Sequence, residues 1–279
     1  LHTETVLKGK VEGISKEDFV IIWGGGIYNW FDPLTLIKAM SIVWTKRKDI
    51  KLYFLGVKHP NPQVKEVAMA TETVELAKKT GVFEKNTFFN FGWVEYEKRQ
   101  NYFLESDTGI ITHPEHIETR FAFRTRILDY LWTGLPVIST KGDSLSDMVE
   151  SRNLGITVNA QNADELAAAI IRMAEDRVFY RNCKDNVKNV SESFTWEKIC
   201  RPLIDFCIDP VSSAVRETLR PDQVHTSVDV LDIAGPDTGG GCSGISRSKG
   251  CLFRRFFYHL FKSGPRKTLE VSKNYLRSK

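Results

Sequence analysis

The sequence of 279 residues has no run of eighteen apolar residues, so no membrane-spanning helix is expected. No signal peptide is expected, and the sequence opens on Leu1 rather than Met, which suggests a piece of a longer protein. Its five cysteines, Cys183, Cys200, Cys207, Cys242 and Cys251, are odd in number and scattered. There is no CxxC spacing and no close His partner, which argues against a disulfide framework or a zinc site and for reduced cytosolic thiols. Internal repeats are missing too. Acid is nearly missing from the end of the chain. From Arg247 to Lys279 ten Lys or Arg stand against Glu270 alone, so the net charge of +4 hides 29 basic against 34 acidic residues elsewhere.

What is present is an alternation of strand and helix patterns. Phe19 to Trp23 is a continuous apolar run, as in a strand buried on both faces. Gly24-Gly25-Gly26 follows at once. Asp32 is placed to cap the next helix, with Pro33 at its first position and Leu34, Ile37, Met40, Ile42 and Trp44 on its buried side. Further strands are expected at 51–55, 87–91, 108–112, 136–140 and 155–158. Helices are expected at 64–79, 96–105, 145–150, 164–176, 178–193 and 196–206, and residues 1–17 as a polar linker. This order predicts an α/β protein with a Rossmann-like, doubly wound parallel sheet. Ligands of such sheets bind beyond the carboxyl ends of the strands, where the loops at Gly24, Gly56, Gly92 and Thr112 converge.

The stretch from Phe121 to Ser139, FAFRTRILDYLWTGLPVIS, is the densest in signals. Arg124 and Arg126 come just before or within the first turn of a helix that carries Asp129. Ile127, Leu128, Leu131 and Trp132 recur at helical spacing and predict its buried face. Gly134 and Pro136 stop it. Cations and free backbone N–H groups at a helix start suit an anionic ligand.

Helix, Gly134, Leu135, Pro136, Val137, Ile138 resembles the signature of retaining glycosyltransferases of family 4, and the FRTR-LDYLW-GLP wording is similar to a bacterial surface-polysaccharide subgroup. The resemblance covers residues 1 to 205. It implies the C-terminal, donor-nucleotide-binding half of a GT-B architecture, with an N-terminal Rossmann-like domain lying outside this chain. Asp129 stands five before Gly134, where the family has its ribose-binding glutamate. Phe121 stands where a second glutamate is usual, and Glu118 is the nearest candidate for it. The family's Arg and Lys after the first strand, which bind the diphosphate, have no counterpart in GGGIYNWFDP.

The resemblance assigns Gly24, Gly25, Gly26 and Asn29 to the donor side of the cleft, while a tight turn alone would also explain the glycines. The spacing matches neither a P-loop nor GxGxxG. Arg124, Arg126 and Lys58 are the candidates to neutralise a diphosphate. Alternating helix positions point apart, so one arginine is expected to reach it, with Arg124 favoured. The N–H groups of Phe123 to Thr125 would assist it in holding the leaving group. Asp129 would accept from the two ribose hydroxyls, and Trp93 would border the base or pack in the core. His113, Glu115, His116 and Glu118 match no zinc spacing. No metal and no cofactor is expected, and Glu118 is assigned to the donor sugar hydroxyls.

The implied activity is retaining transfer of a sugar from a nucleoside diphosphate to a saccharide or lipid-linked acceptor. Two alternatives stay open: a non-catalytic nucleotide- or sugar-binding module, and a nucleotide-sugar 2-epimerase of the same architecture, with Glu115 and Glu118 as acid–base groups. Residues 1–206 are expected to form the binding domain, 207–250 a flexible linker rich in glycine, and 251–279 a basic helical tail. LFRRFFYHLFK, residues 252–262, places Phe253, Phe256, Phe257, Leu260 and Phe261 on one face, which suits an anionic membrane surface and a cytoplasmic protein resting on the inner face of the cell membrane. A linker into a further domain is the other reading of the tail. Nothing in it is a recognisable nucleic-acid module. A peptide of residues 251–279 is expected to co-sediment with anionic vesicles and not with neutral ones; equal recovery from both would overturn the membrane reading.

Overall fold

A computed structural model describes residues 2–58, 61, 63, 65 and 67–208. The expected linker at 207–250 and the basic tail lie outside the described residues, apart from Cys207 and Ile208. Six parallel strands run β1 (Phe19–Trp23), β2 (Ile50–Phe54), β3 (Thr87–Phe89), β4 (Thr108–Ile111), β5 (Val137–Thr140) and β6 (Gly155–Val158). Their order across the sheet is β3-β2-β1-β4-β5-β6. Order reverses between β1 and β4, which makes that gap the crevice where such sheets bind ligands. Every residue of β1 and β2 is buried, which is why β1 reads as an unbroken apolar run and β2 as one broken only by Lys51.

The helices that flank the sheet follow their end signals. In α1 (Pro33–Lys46) the Asp32 side chain accepts from the Thr35 N–H, as the sequence predicts. The face it buries is Leu36, Ile37, Ala39, Met40 and Val43, with Leu34, Ile42 and Trp44 only half-buried. Next come α2 (Ala68–Lys79), a single 3₁₀ turn (Tyr96–Lys98), α3 (Arg99–Leu104), α4 (Ile117–Phe121) and α5 (Arg126–Trp132). The rest are α6 (Ser144–Ser151), α7 (Ala163–Glu175), α8 (Arg177–Ser191), α9 (Trp196–Ile199) and α10 (Arg201–Ile208). The expected helix at 196–206 is therefore two, broken at Cys200 ahead of Pro202, and the expected helix at 64–79 starts four residues later. α1 packs on α2 and α7, and α5 packs on β4 and α8.

Residues 1–17 are not a loose linker. Leu7 and Ile14 are buried in the core. The carboxylate of Glu105, the residue that ends α3, accepts the backbone N–H groups of Val6, Leu7 and Lys8 at 2.8–3.0 Å and meets the His2 ring at 2.7 Å. Asn101 Oδ1 accepts the Thr3 N–H at 2.8 Å. Polar residues dominate this segment because it is tied down by hydrogen bonds more than by apolar packing, a difference that composition does not show.

Burial pushes the Glu105 carboxyl up, but the bonds from His2, Leu7, Val6 and Lys8 outweigh it and hold the group below its ordinary range. Glu105→Ala leaves three N–H groups unpaired and is expected to cost about 1–3 kcal/mol at neutral pH. A depressed carboxyl stabilises the fold above its unfolded pKa, and that stabilisation fades as pH falls through the folded value. The gap in melting temperature between wild type and variant should therefore be full near neutrality and close below about pH 4. A gap constant with pH would count against this role.

Candidate functional site

A cavity of about 200 Å³ lies at the carboxyl end of the sheet. Its walls are Gly24 and Gly25 after β1, Leu55 and Gly56 after β2, Trp93 and Val94 after β3, and Tyr96, Arg99 and Phe103 from the 3₁₀ turn and α3. Three of the four loops that the strand pattern singles out thus meet in one cavity. The loop after β4 reaches the region through α5, which follows it.

Tyr130 of α5 sets this geometry. Its buried hydroxyl accepts the Gly24 N–H at 3.0 Å and lies within donating distance of the Ile110 and Ile22 carbonyls, at 2.8 and 3.2 Å. Burial pushes the phenol up to about 12, so it keeps its proton and its capacity to donate. The buried face of α5 is Ile127, Tyr130 and Leu131, whereas Trp132, expected inside, is exposed. Five positions beyond Ile127, Trp132 points away from a face built at spacings of three and four.

Each glycine of the loop makes room for one of the chain's own side chains. A Cβ at Gly24 would lie 2.5 Å from the Phe103 ring, at Gly25 3.1 Å from Arg126 Nη2, and at Gly26 3.1 Å from the Tyr28 ring. Arg126 Nη2 donates to the Gly26 carbonyl at 2.8 Å, and its guanidinium lies 4.5 Å from the Phe31 ring centroid and 4.9 Å from that of Trp23. Arg126 Nη1 is sealed from solvent without a hydrogen-bond partner. Burial lowers the Arg126 pKa, yet an arginine keeps its charge. A half-buried cation whose Nη1 has no partner among the described residues, beside a glycine loop, is a place for an anion.

Arg124 lies elsewhere. It is buried ahead of α5, and its Nη1 and Nη2 meet the two carboxylate oxygens of Glu118 at 3.2 and 2.7 Å. The two candidate catalytic groups, Glu118 and Arg124, are therefore paired with each other. Both guanidinium groups lie within 6 Å of the Phe31 ring centroid, Arg124 at 5.7 Å and Arg126 at 4.5 Å. Helical geometry does not separate them, because Arg124 lies in the loop before the helix. Thr125 and Phe123 are exposed at the start of α5, and the Thr125 N–H is already bonded to the Phe123 carbonyl at 2.8 Å.

Asp129 is half-buried on α5 and forms a forked ion pair with Arg99, at 3.0 Å to Nη2 and 3.5 Å to Nη1. Burial pushes its carboxyl up, and Arg99 and Arg126 pull against that. Sequence reasoning missed Arg99; its one signal is its place three residues after Tyr96, whose ring it covers at 3.9 Å. Trp93, half-exposed, lines the cavity rather than the core. Asn29 Oδ1 accepts the Met69 N–H at 3.3 Å, which ties the glycine loop to α2. Lys58 is exposed in the loop after β2.

His113, Glu115, His116 and Glu118 do not converge. His113 Nε2 meets Asp143 Oδ2 at 3.0 Å inside the protein, and His116 Nδ1 accepts the Glu118 N–H at the cap of α4. Among the described residues no three His, Cys, Asp or Glu side chains gather as metal ligands would. No helix among those residues is long and apolar enough to cross a membrane.

A parallel sheet ordered 3-2-1-4-5-6, with a cavity beside its switch point, defines a Rossmann-like α/β domain. The sequence profile of the glycosyl transferases group 1 matches residues 18–176, more than half the chain, and the protein belongs to that family. Sucrose-phosphate synthase of Zea mays is 23% identical over 93 residues, which are 33% of this chain and 8% of that enzyme. Among solved structures, Anabaena Alr3699/HepE in complex with UDP superposes with a TM-score of 0.57 at 18% identity, covering 69% of this chain and 49% of that one. The C-terminal domain of the group 1 family protein LpcC from Francisella tularensis gives a TM-score of 0.52 at 16% identity, covering 67% of this chain and 87% of that domain. The chain thus spans a small part of the curated enzyme it matches and about half of HepE.

Tyr130→Phe removes the hydroxyl that joins β1, β4 and the glycine loop. It is expected to cost about 1–3 kcal/mol of stability. Faster amide exchange at Gly24 than in β2 should accompany it; unchanged exchange at Gly24 would show that the hydroxyl does not hold the loop.

Proposed function

We propose that the chain is the C-terminal, donor-binding half of a retaining glycosyltransferase. The whole enzyme would move a sugar from a nucleoside diphosphate to a hydroxyl of a saccharide or lipid-linked acceptor, in building a bacterial surface polysaccharide. One observation carries the reading: two residues that line the cavity at the carboxyl end of the sheet are backed by charge, Gly25 by the half-buried cation of Arg126 and Arg99 by the carboxylate of Asp129. A nucleotide offers the matching groups, an anionic diphosphate and a neutral diol.

In this reading Trp93 borders the base and Asp129 accepts from the ribose. The diphosphate lies over the glycine loop, where Arg126 donates from its unused Nη1 and Lys58 adds charge from the loop after β2. Charge builds on the leaving diphosphate in an oxocarbenium-like transition state, and Arg126 with Arg124, both against Phe31, supplies positive potential there. Arg124 also holds Glu118 by both oxygens, so that Glu118 is presented as an oriented carboxylate to the donor sugar hydroxyls. Acceptor groups belong on an N-terminal Rossmann-like domain. The match to half of HepE and to nearly all of the LpcC C-terminal domain supports that division.

Calorimetry of the 279-residue protein against UDP, GDP, ADP and dTDP tests the reading. One of the four is expected to bind, and Arg126→Met to weaken it about tenfold or more with its melting temperature followed alongside. No glycosyl turnover is expected from this chain alone. Failure of all four to bind would favour a non-catalytic module, and turnover by the isolated chain would overturn the division into halves.

A further inference from the structure

Arg99 is not on a loop that follows a strand. It is the first residue of α3, and about three-quarters of its side chain is buried. Its guanidinium lies 3.9 Å from the centroid of the Tyr96 ring and 5.8 Å from that of Trp132. Tyr96 and Asp129 therefore fix it by a flat contact and by a fork. It lines the cavity with Trp93, Val94 and Tyr96, and Asp129 stands behind it. A guanidinium has five N–H donors, and the fork to Asp129 engages one on each terminal nitrogen.

A diol needs partners of both kinds, because every hydroxyl has a hydrogen to give and lone pairs to fill. A carboxylate alone offers only acceptors. A carboxylate with a guanidinium 3.0 Å away offers both at one spot. We propose that Arg99 is a nucleotide-binding residue that reads the ribose diol jointly with Asp129, donating to a hydroxyl oxygen while Asp129 accepts from the hydroxyl hydrogens. This rests on the nucleotide-binding reading above and adds to it a residue and a specificity for ribose over deoxyribose. Arg99 also favours the accepting, ionised form of Asp129, against the burial that pushes this carboxyl up. A plain tie between α3 and α5 would use the same ion pair but would leave the protein indifferent to the sugar.

The test is calorimetry of the full chain with UDP, GDP and ADP and their 2′-deoxy counterparts. Wild type should bind the ribose form of its preferred nucleotide about tenfold more tightly than the deoxy form. Arg99→Met should bring that ratio close to one, as should Asp129→Asn. Should the Met variant fail to fold, Arg99→Lys serves in its place: one ammonium cannot hold Asp129 by a fork and serve a hydroxyl as well, so the ratio should fall there too. An Arg99 variant that weakens both forms equally, or that keeps the wild-type ratio, would reduce Arg99 to a structural tie. A wild-type ratio of one would likewise overturn the proposal, while leaving nucleotide binding intact. Binding of dTDP alone would overturn the proposal and leave nucleotide binding intact, whereas binding of neither dTDP nor any of the six would remove the nucleotide reading itself.

Discussion

The hydroxyl of Tyr130 is the interaction on which the site depends. β1 and β4 are the pair where the sheet reverses order, and their register is short, Ile21 with Thr108 and Ile22 with Gly109. Beside it a single phenol serves the carbonyls of both strands and the first N–H of the glycine loop. Gly109 follows from this, because a Cβ there would lie 2.3 Å from the Tyr130 ring. So does the position of α5, which carries Arg126 and Asp129, three residues apart and so on one face of the same short helix. Removing the phenol would detach the loop from the helix that supplies its charge.

Charge in this site is held in place before any ligand arrives. Arg124 is clamped by Glu118, Asp129 by Arg99, and Arg126 by the Gly26 carbonyl and two aromatic rings. None of these groups needs a large rearrangement to act, which is the condition under which fixed charges stabilise a transition state well. A carboxylate beside each of two arginines also keeps the local net charge low. A third cation, Arg126, makes no ion pair among the described residues, and that is where an anion gains most.

Strands and their ends were legible in the sequence for a physical reason: a strand buried on both faces has no choice but an unbroken apolar run, and Phe19–Trp23 and Lys51–Phe54 show that buried neighbours can even absorb one lysine, Lys51, through its bond to the Lys85 carbonyl. The cap at Asp32 and the left-handed Gly134, φ +74°, were equally local and equally readable. Long-range pairs were not. Arg99 and Asp129 lie thirty residues apart on two different helices, and nothing in YEKRQNYF distinguishes a cavity arginine from a surface one. The glycines show a third case. Gly24-Gly25-Gly26 reads in sequence as room for a ligand, whereas Phe103, Arg126 and Tyr28, distant or adjacent in sequence, are what exclude a side chain there. Residues 1–17 misled through composition, since a segment tied by hydrogen bonds to Glu105 looks as polar as one that is not tied at all.

That tie has a mechanical consequence. α3 is six residues long, about 9 Å from end to end, and too short to bend. At its first residue is Arg99, facing the cavity; at its end is Glu105, gripping the backbone of residues 6–8. The helix is a short rigid link between the entering chain and the ligand wall. A displacement of residues 6–8 would pass through it to the guanidinium that lines the cavity.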